Sequence, residues 1–180
     1  MTDATQQQDS DAGLRACADE LAIRATLTRY LSGLDRTDYE LAMSSFAPDA
    51  NAVFSDVHEL VGRDAITEFL GGGVGARAAG LKVPRVKMHF MGNLTIDLEG
   101  DSAETELYVI SHSVDGSGET DRLFVRGIRY LDRLERRDGQ WLIVDRYHTL
   151  DWTYDTVPSH SREPGTRVAR RPGRVGTPAS

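Results

Sequence analysis

The hydrophobic period of this chain changes once, near Pro84, and that change constrains the fold more than any other feature. Before it, Leu14, Cys17, Ala18, Leu21, Ala25, Thr28 and Leu31 recur at spacings of three and four. That stripe predicts a helix over 14–34. After it, Val86, Met88, Phe90, Leu94, Ile96 and Leu98 alternate with Lys87, His89, Asn93, Thr95 and Asp97, the period of a strand. Further strands are expected at 103–113, 122–135 and 140–152. Turns are expected at Glu99-Gly100-Asp101, at 115–118 and at Arg137-Asp138-Gly139. A short helix over 39–46 should start on Asp38 as its N-cap and stop before Pro48. A third helix over 64–70 should be interrupted by Gly71-Gly72-Gly73, read as a flexible loop or lid. That glycine run lacks the Gly-Lys-Ser/Thr of a phosphate loop and follows a helix, not a strand. Helices followed by long antiparallel strands make an α+β chain. The expected architecture is a strongly bent antiparallel sheet wrapped around the first helix as a cone-shaped barrel, with a pocket inside.

With 180 residues, 39% of them apolar, the chain can bury one core and is not disordered throughout. The expected organisation is a disordered lead-in over 1–13, one domain over 14–155 and a basic, disordered tail over 156–180. No run approaches 18 apolar residues, and the first ten are polar and acidic, so the expected compartment is the cytoplasm. The single cysteine, Cys17, makes neither an internal disulfide nor a cysteine-based zinc site. The net charge of -7 is uneven: 156–180 carries five Arg against Glu163 alone, leaving about -11 on the rest. An acidic body argues against nucleic acid as a partner.

Asp35 extends the apolar stripe of the first helix by one further step of four, so its carboxylate is expected to point inward, where it needs a partner. The competing reading is an exposed cap. His89 is the candidate partner: an imidazole held by a carboxylate is a positioned base near neutral pH. Simple alternation puts His89 on the polar face of its strand. A pocket on that face, or a bulge at Gly92, removes the conflict. Tyr30 lies five residues before Asp35 and would reach the same pocket from one side, or else pack in the core. His112, Arg146 and His148, on later strands, are candidate donors to a substrate oxygen. No spacing of the five histidines matches a metal site, and no cofactor fingerprint is found, so neither metal nor cofactor is expected.

Taken in order, several stretches resemble the SnoaL-like branch of the nuclear transport factor 2-like superfamily. They are Arg29-Tyr30-Leu31-Ser32-Gly33-Leu34-Asp35, Phe46-Ala47-Pro48-Asp49-Ala50 with Gly62, and Met88-His89-Phe90-Met91-Gly92-Asn93. Gly100-Asp101-Ser102-Ala103, Tyr130-Leu131-Asp132 and Asp138-Gly139-Gln140-Trp141 complete the pattern. Within that branch it is similar to hexachlorocyclohexane dehydrochlorinases, scytalone dehydratases and bile-acid 7α-dehydratases. The resemblance implies a cofactor-independent lyase with a His–Asp pair at His89 and Asp35 and a catalytic tyrosine at Tyr30. His112, Arg146 and His148 would bind substrate, a small and mostly apolar ring compound. Isomerases, polyketide cyclases and non-catalytic binding proteins share the fold, so the reaction stays open. The resemblance also implies a homo-oligomer, dimer or trimer, with no nucleic acid and no membrane among its partners.

Overall fold

A computed structural model describes residues 2–55, 57–78, 84, 86–116 and 121–161. The elements are α1 (Thr2–Arg36), α2 (Tyr39–Met43), β1 (Phe46–Phe54), β2 (His58–Val61), α3 (Arg63–Ala78), β3 (Val86–Glu99), β4 (Ser102–Asp115), β5 (Arg122–Arg137) and β6 (Gln140–Thr156). The six strands form one sheet in the order β2-β1-β6-β5-β4-β3. It is curled but not closed: β2 and β3 are its two edges. The helix-then-strand order and three long antiparallel pairs are as expected. The pairing of β1 with β6 is parallel: the chain passes through β2, α3 and three further strands before β6 returns beside β1.

Four expectations need correction. α1 begins at Thr2, so residues 2–13 are helical where a disordered lead-in was expected; extending an established helix is cheap. α3 runs through Gly71-Gly72-Gly73 to Ala78; each helical glycine costs only about 1 kcal/mol. β1 and β2 were not expected at all. The buried face of α1 also differs. Leu14, Cys17, Ala18, Leu21, Ala25 and Thr28 are exposed, and the buried residues are Asp19, Ile23, Thr26, Leu27, Tyr30, Leu31, Gly33 and Leu34. Two polar residues on that face hide it from a hydrophobicity pattern. Thr26 donates to the Trp141 carbonyl at 2.8 Å, and Asp19 accepts from the Trp141 indole at 3.1 Å and from Arg136 at 2.8 Å. These bonds lock α1 onto the β5–β6 hairpin. Of the basic tail, only residues up to 161 are described.

The curl has a local cause. On β3, Gly92 and Asn93 together oppose Tyr108, since Met91 pairs with Val109 and Leu94 with Leu107. Two similar irregularities interrupt the β5–β6 ladder, between Gly127 and Ile128 and between Arg133 and Leu134. Each bulge bends its strand and adds twist. Gly92 suits its place because a Cβ there would sit 3.2 Å from the Tyr108 carbonyl oxygen.

Candidate active site

Asp35 is the penultimate residue of α1, and the end of that helix is defined by its sequence. Thr37 takes a left-handed φ of 57°. The Asp38 N–H then bonds the Gly33 carbonyl at 2.8 Å and the Thr37 N–H bonds the Leu34 carbonyl at 3.1 Å, a Schellman closure. Asp38 goes on to cap α2 as expected, accepting from the Leu41 N–H at 3.0 Å. The corner is tight: a Cβ on Gly33 would lie 2.5 Å from the Ala42 nitrogen. Asp35 is thereby fixed at the carbonyl end of a long helix, an unfavourable place for a carboxylate. Two donors from β3 compensate. The His89 ring Nδ1 lies 2.6 Å from Asp35 Oδ1, and the His89 backbone N–H reaches Asp35 Oδ2 at 3.2 Å. An ionised carboxylate only accepts, so Nδ1 carries the proton and Nε2 keeps its lone pair. The side chains are 11% exposed for His89 and 27% for Asp35, so the pair is sheltered yet reachable.

The bulge resolves the conflict over His89. Before it, Lys87, His89 and Met91 face the helices; after it, Leu94, Ile96 and Leu98 do, while Met88 and Phe90 are 46% and 55% exposed on the outer face. One extra residue reverses the parity, so His89 shares a face with the core of its own strand.

Cross-strand register then arranges the inner face in rows. His89 pairs with Ser111, Ser111 with Arg126, and Arg126 with Thr153. The next row is Met91, Val109, Ile128 and Leu150. The one after is Leu94, Leu107, Tyr130, His148 and Phe54. This last row is aromatic: Tyr130–His148 and His148–Phe54 ring centroids are both 5.2 Å apart, and Phe54–Phe69 continues the chain of rings at 5.2 Å. His148 therefore belongs to the inner face.

Below that row the site is sealed. Arg146 and Asp132 are fully buried and joined by two hydrogen bonds of 2.7 and 2.6 Å. The Arg146 guanidinium lies 4.2 Å from the Tyr30 ring centroid, 4.1 Å from that of Tyr130 and 5.1 Å from that of Phe46. Burial lowers the guanidinium's proton affinity, but Asp132 more than restores it, and Arg146 stays charged. Arg146 is thus committed to an internal partner that sequence reasoning missed. Tyr30 is 1% exposed and packs edge-on against Phe46 and Tyr130. Burial pushes its phenol up, so it holds its proton at neutral pH. His112 pairs with Met88 and stacks edge-on with Phe90, 5.5 Å between centroids, on the outer face. The structure does not bring it to the Asp35–His89 pair. Among the described residues no cluster of three or more His, Cys, Asp or Glu is arranged to hold a metal ion.

Several solved structures share this architecture. A hexachlorocyclohexane dehydrochlorinase (LinA, type 2) superposes with a TM-score of 0.71 at 18% identity, over 85% of this chain and 99% of the other. LinA type 3 from Novosphingobium barchaimii LL02 gives 0.70 at 18%, over 84% and 99%. A provisionally assigned scytalone dehydratase from Novosphingobium aromaticivorans DSM 12444 gives 0.66 at 22%, over 87% and 97%. At these identities the likeness concerns the fold alone. No curated protein matches the chain. No described helix is long and apolar enough to cross a membrane. The SnoaL-like domain pattern matches residues 15–147, which contain Asp35, His89 and every member of the row from Leu94 to Phe54 except His148, and the chain belongs to that family.

Proposed function

We propose that the chain is a cofactor-independent lyase, of dehydratase or dehydrohalogenase type, acting on a small, mostly apolar cyclic substrate. The observation that carries this reading is the 2.6 Å Asp35–His89 contact on the inner face, with Nε2 left as the basic nitrogen. His89 Nε2 takes a proton from the carbon next to the leaving group. The C–H electron pair becomes the new C=C bond, and hydroxide or halide departs with the electrons of its own bond. A departing hydroxide takes a proton from a nearby donor and leaves as water; His148, on the inner face, is the proposed donor, while Tyr30, 1% exposed beneath it, supports the floor of the site. Asp35 orients the ring and stabilises the imidazolium as it forms. A positioned base contributes about 10²–10⁴-fold, and aligned donors add to that. The SnoaL-like family and the dehydrochlorinase and dehydratase neighbours support an enzyme of this kind.

The test is a mass-spectrometric assay in heavy water with β-hydroxy ketones, cyclic ketones and chlorinated rings, comparing the parent with His89→Ala. Loss of water or acid in the parent alone supports the lyase. Deuterium uptake without mass loss reassigns the chain to the isomerases or cyclases. Binding without turnover makes it a binding protein.

The outer face supports a homo-oligomer, dimer or trimer. Met88, Phe90, Trp152 and Tyr154 are between 46% and 60% exposed and form adjoining outer rows, a larger apolar patch than single surface residues make.

A further inference from the structure

A concavity of about 780 Å³ lies not at the His89 pair but on the outer face, across all six strands. Its floor includes Leu131 and Tyr147, each 40% exposed, and Val61, 80% exposed. Its lining carries six carboxylates against two guanidiniums, and one of each, Asp132 and Arg146, is already locked together in the core. Arg133 is shared between Asp145 and Glu135. Asp97 and Glu104 stand directly opposite each other on β3 and β4, a like-charge pairing that costs stability. Among the described residues neither they nor Glu59 has a basic partner.

The chain contains a segment of the opposite kind. Residues 162–180 hold Arg162, Arg167, Arg170, Arg171 and Arg174 against Glu163 alone. Ser161, the last described residue, hydrogen-bonds Asp121, at the end of the sheet where Thr156 pairs with Leu123. Tyr147 and Asp145 lie nine and eleven residues back along β6, about 30–36 Å away. Arg167 to Arg174 follow Ser161 by six to thirteen residues, which an extended chain carries about 20–45 Å. The arginines therefore fall at the distance of the groove.

We infer that the outer-face groove receives the chain's own arginine-rich segment 162–180, held by Glu59, Asp97 and Glu104. Arginine suits the place, because its flat guanidinium pairs with carboxylates while its stem covers apolar surface. Tethering supplies the high effective concentration that weak surface ion pairs need.

Trypsin tests this on the full chain, since it cuts after the tail's arginines. Intact-mass time courses would compare the parent with Glu59→Gln/Asp97→Asn/Glu104→Gln, with an isotope-labelled 162–180 peptide in the same tube as an undocked standard. A tail docked ~90% of the time is cut about tenfold more slowly than the peptide. The triple variant should lose that protection while cuts elsewhere keep their rates. Should the triple variant not fold, Glu104→Gln alone relieves the like-charge pairing and should show a smaller loss. Equal rates for parent tail, variant tail and peptide would overturn the inference. So would protection that vanishes on dilution, which would assign the groove to the tail of a second copy.

Discussion

At the scale of single residues, the Asp35–His89 contact and the Arg146–Asp132 pair are both acid–base partnerships, but they have opposite consequences. The first is partly open and leaves one nitrogen unengaged; the second is closed and fully dry. Asp35→Asn puts an amide where only an acceptor stood, so the ring loses the group that fixes its tautomer and stabilises its charge. Turnover is expected to fall about 10²–10⁴-fold with KM little changed, read from steady-state kinetics, while the thermal midpoint stays near the parent's. Turnover within threefold of the parent would remove the pair from the mechanism. Asp132→Asn leaves the Arg146 charge buried without its counterion and should cost about 3–5 kcal/mol in urea unfolding. Replacing both members with apolar residues of similar volume should cost much less. Spacing alone did not mark Asp35 and His89 as a pair: the helical stripe that pointed to Asp35 is itself mostly exposed, and simple alternation put His89 on the polar face, so the pairing rested on the family resemblance. The Arg146–Asp132 pair was not legible in the sequence, because its members are 14 residues apart on neighbouring strands and only the register joins them. His112 was misjudged for the same reason: without the bulge, nothing in the sequence says which histidine shares a face with His89.

At the scale of elements, long strands and tight turns were readable from alternation and glycine placement. Gly100, at φ 60°, and Asp138-Gly139, at φ 51° and 77°, turn the chain where expected. The buried side of α1 was not readable, because Asp19 and Thr26 occupy it and Leu14 and Leu21 do not. The most consequential element is the bulge. Deleting Asn93 should restore continuous pairing past Tyr108. Leu94, Ile96 and Leu98 bury more than His89 does, so they should keep the inner face and turn His89 outward. The expected result is a folded protein without the Asp35–His89 hydrogen bond, seen as a changed Nδ1 resonance in histidine ring ¹⁵N NMR. Retention of that resonance would mean that the strand accommodates the deletion elsewhere.

At the scale of the whole molecule, two faces of one sheet do different work. The inner face carries the His89 pair above a sealed aromatic floor, and the outer face carries an apolar patch beside an acidic groove. Sedimentation should show a dimer or trimer, and charged replacements at Phe90 and Trp152 should yield monomers with the fold retained. The surface ion pairs also set an acid limit. Hydrogen bonds from Arg137 and Arg133 hold the Glu135 carboxyl below its ordinary range, and those from Thr149 and Arg129 do the same for Asp151. Their folded-state values lie below the unfolded ones, so their contribution is present above the ordinary carboxylate range and is lost as pH falls through it. Melting temperature should therefore be flat near neutrality and decline below about pH 4. High salt should blunt that decline, since these pairs are exposed.

The bulge on β3 also bears on aggregation. β3 is 14 residues long and ends the sheet, so one side of its backbone has no neighbouring strand. A flat edge of that length, flanked by exposed Met88 and Phe90, is a template on which a foreign strand adds and fibrils begin. Gly92 and Asn93 break it into two short stretches with different twist, neither matching a continuous incoming strand. The insertion that turns His89 inward thus also guards the open side of the sheet against runaway strand addition.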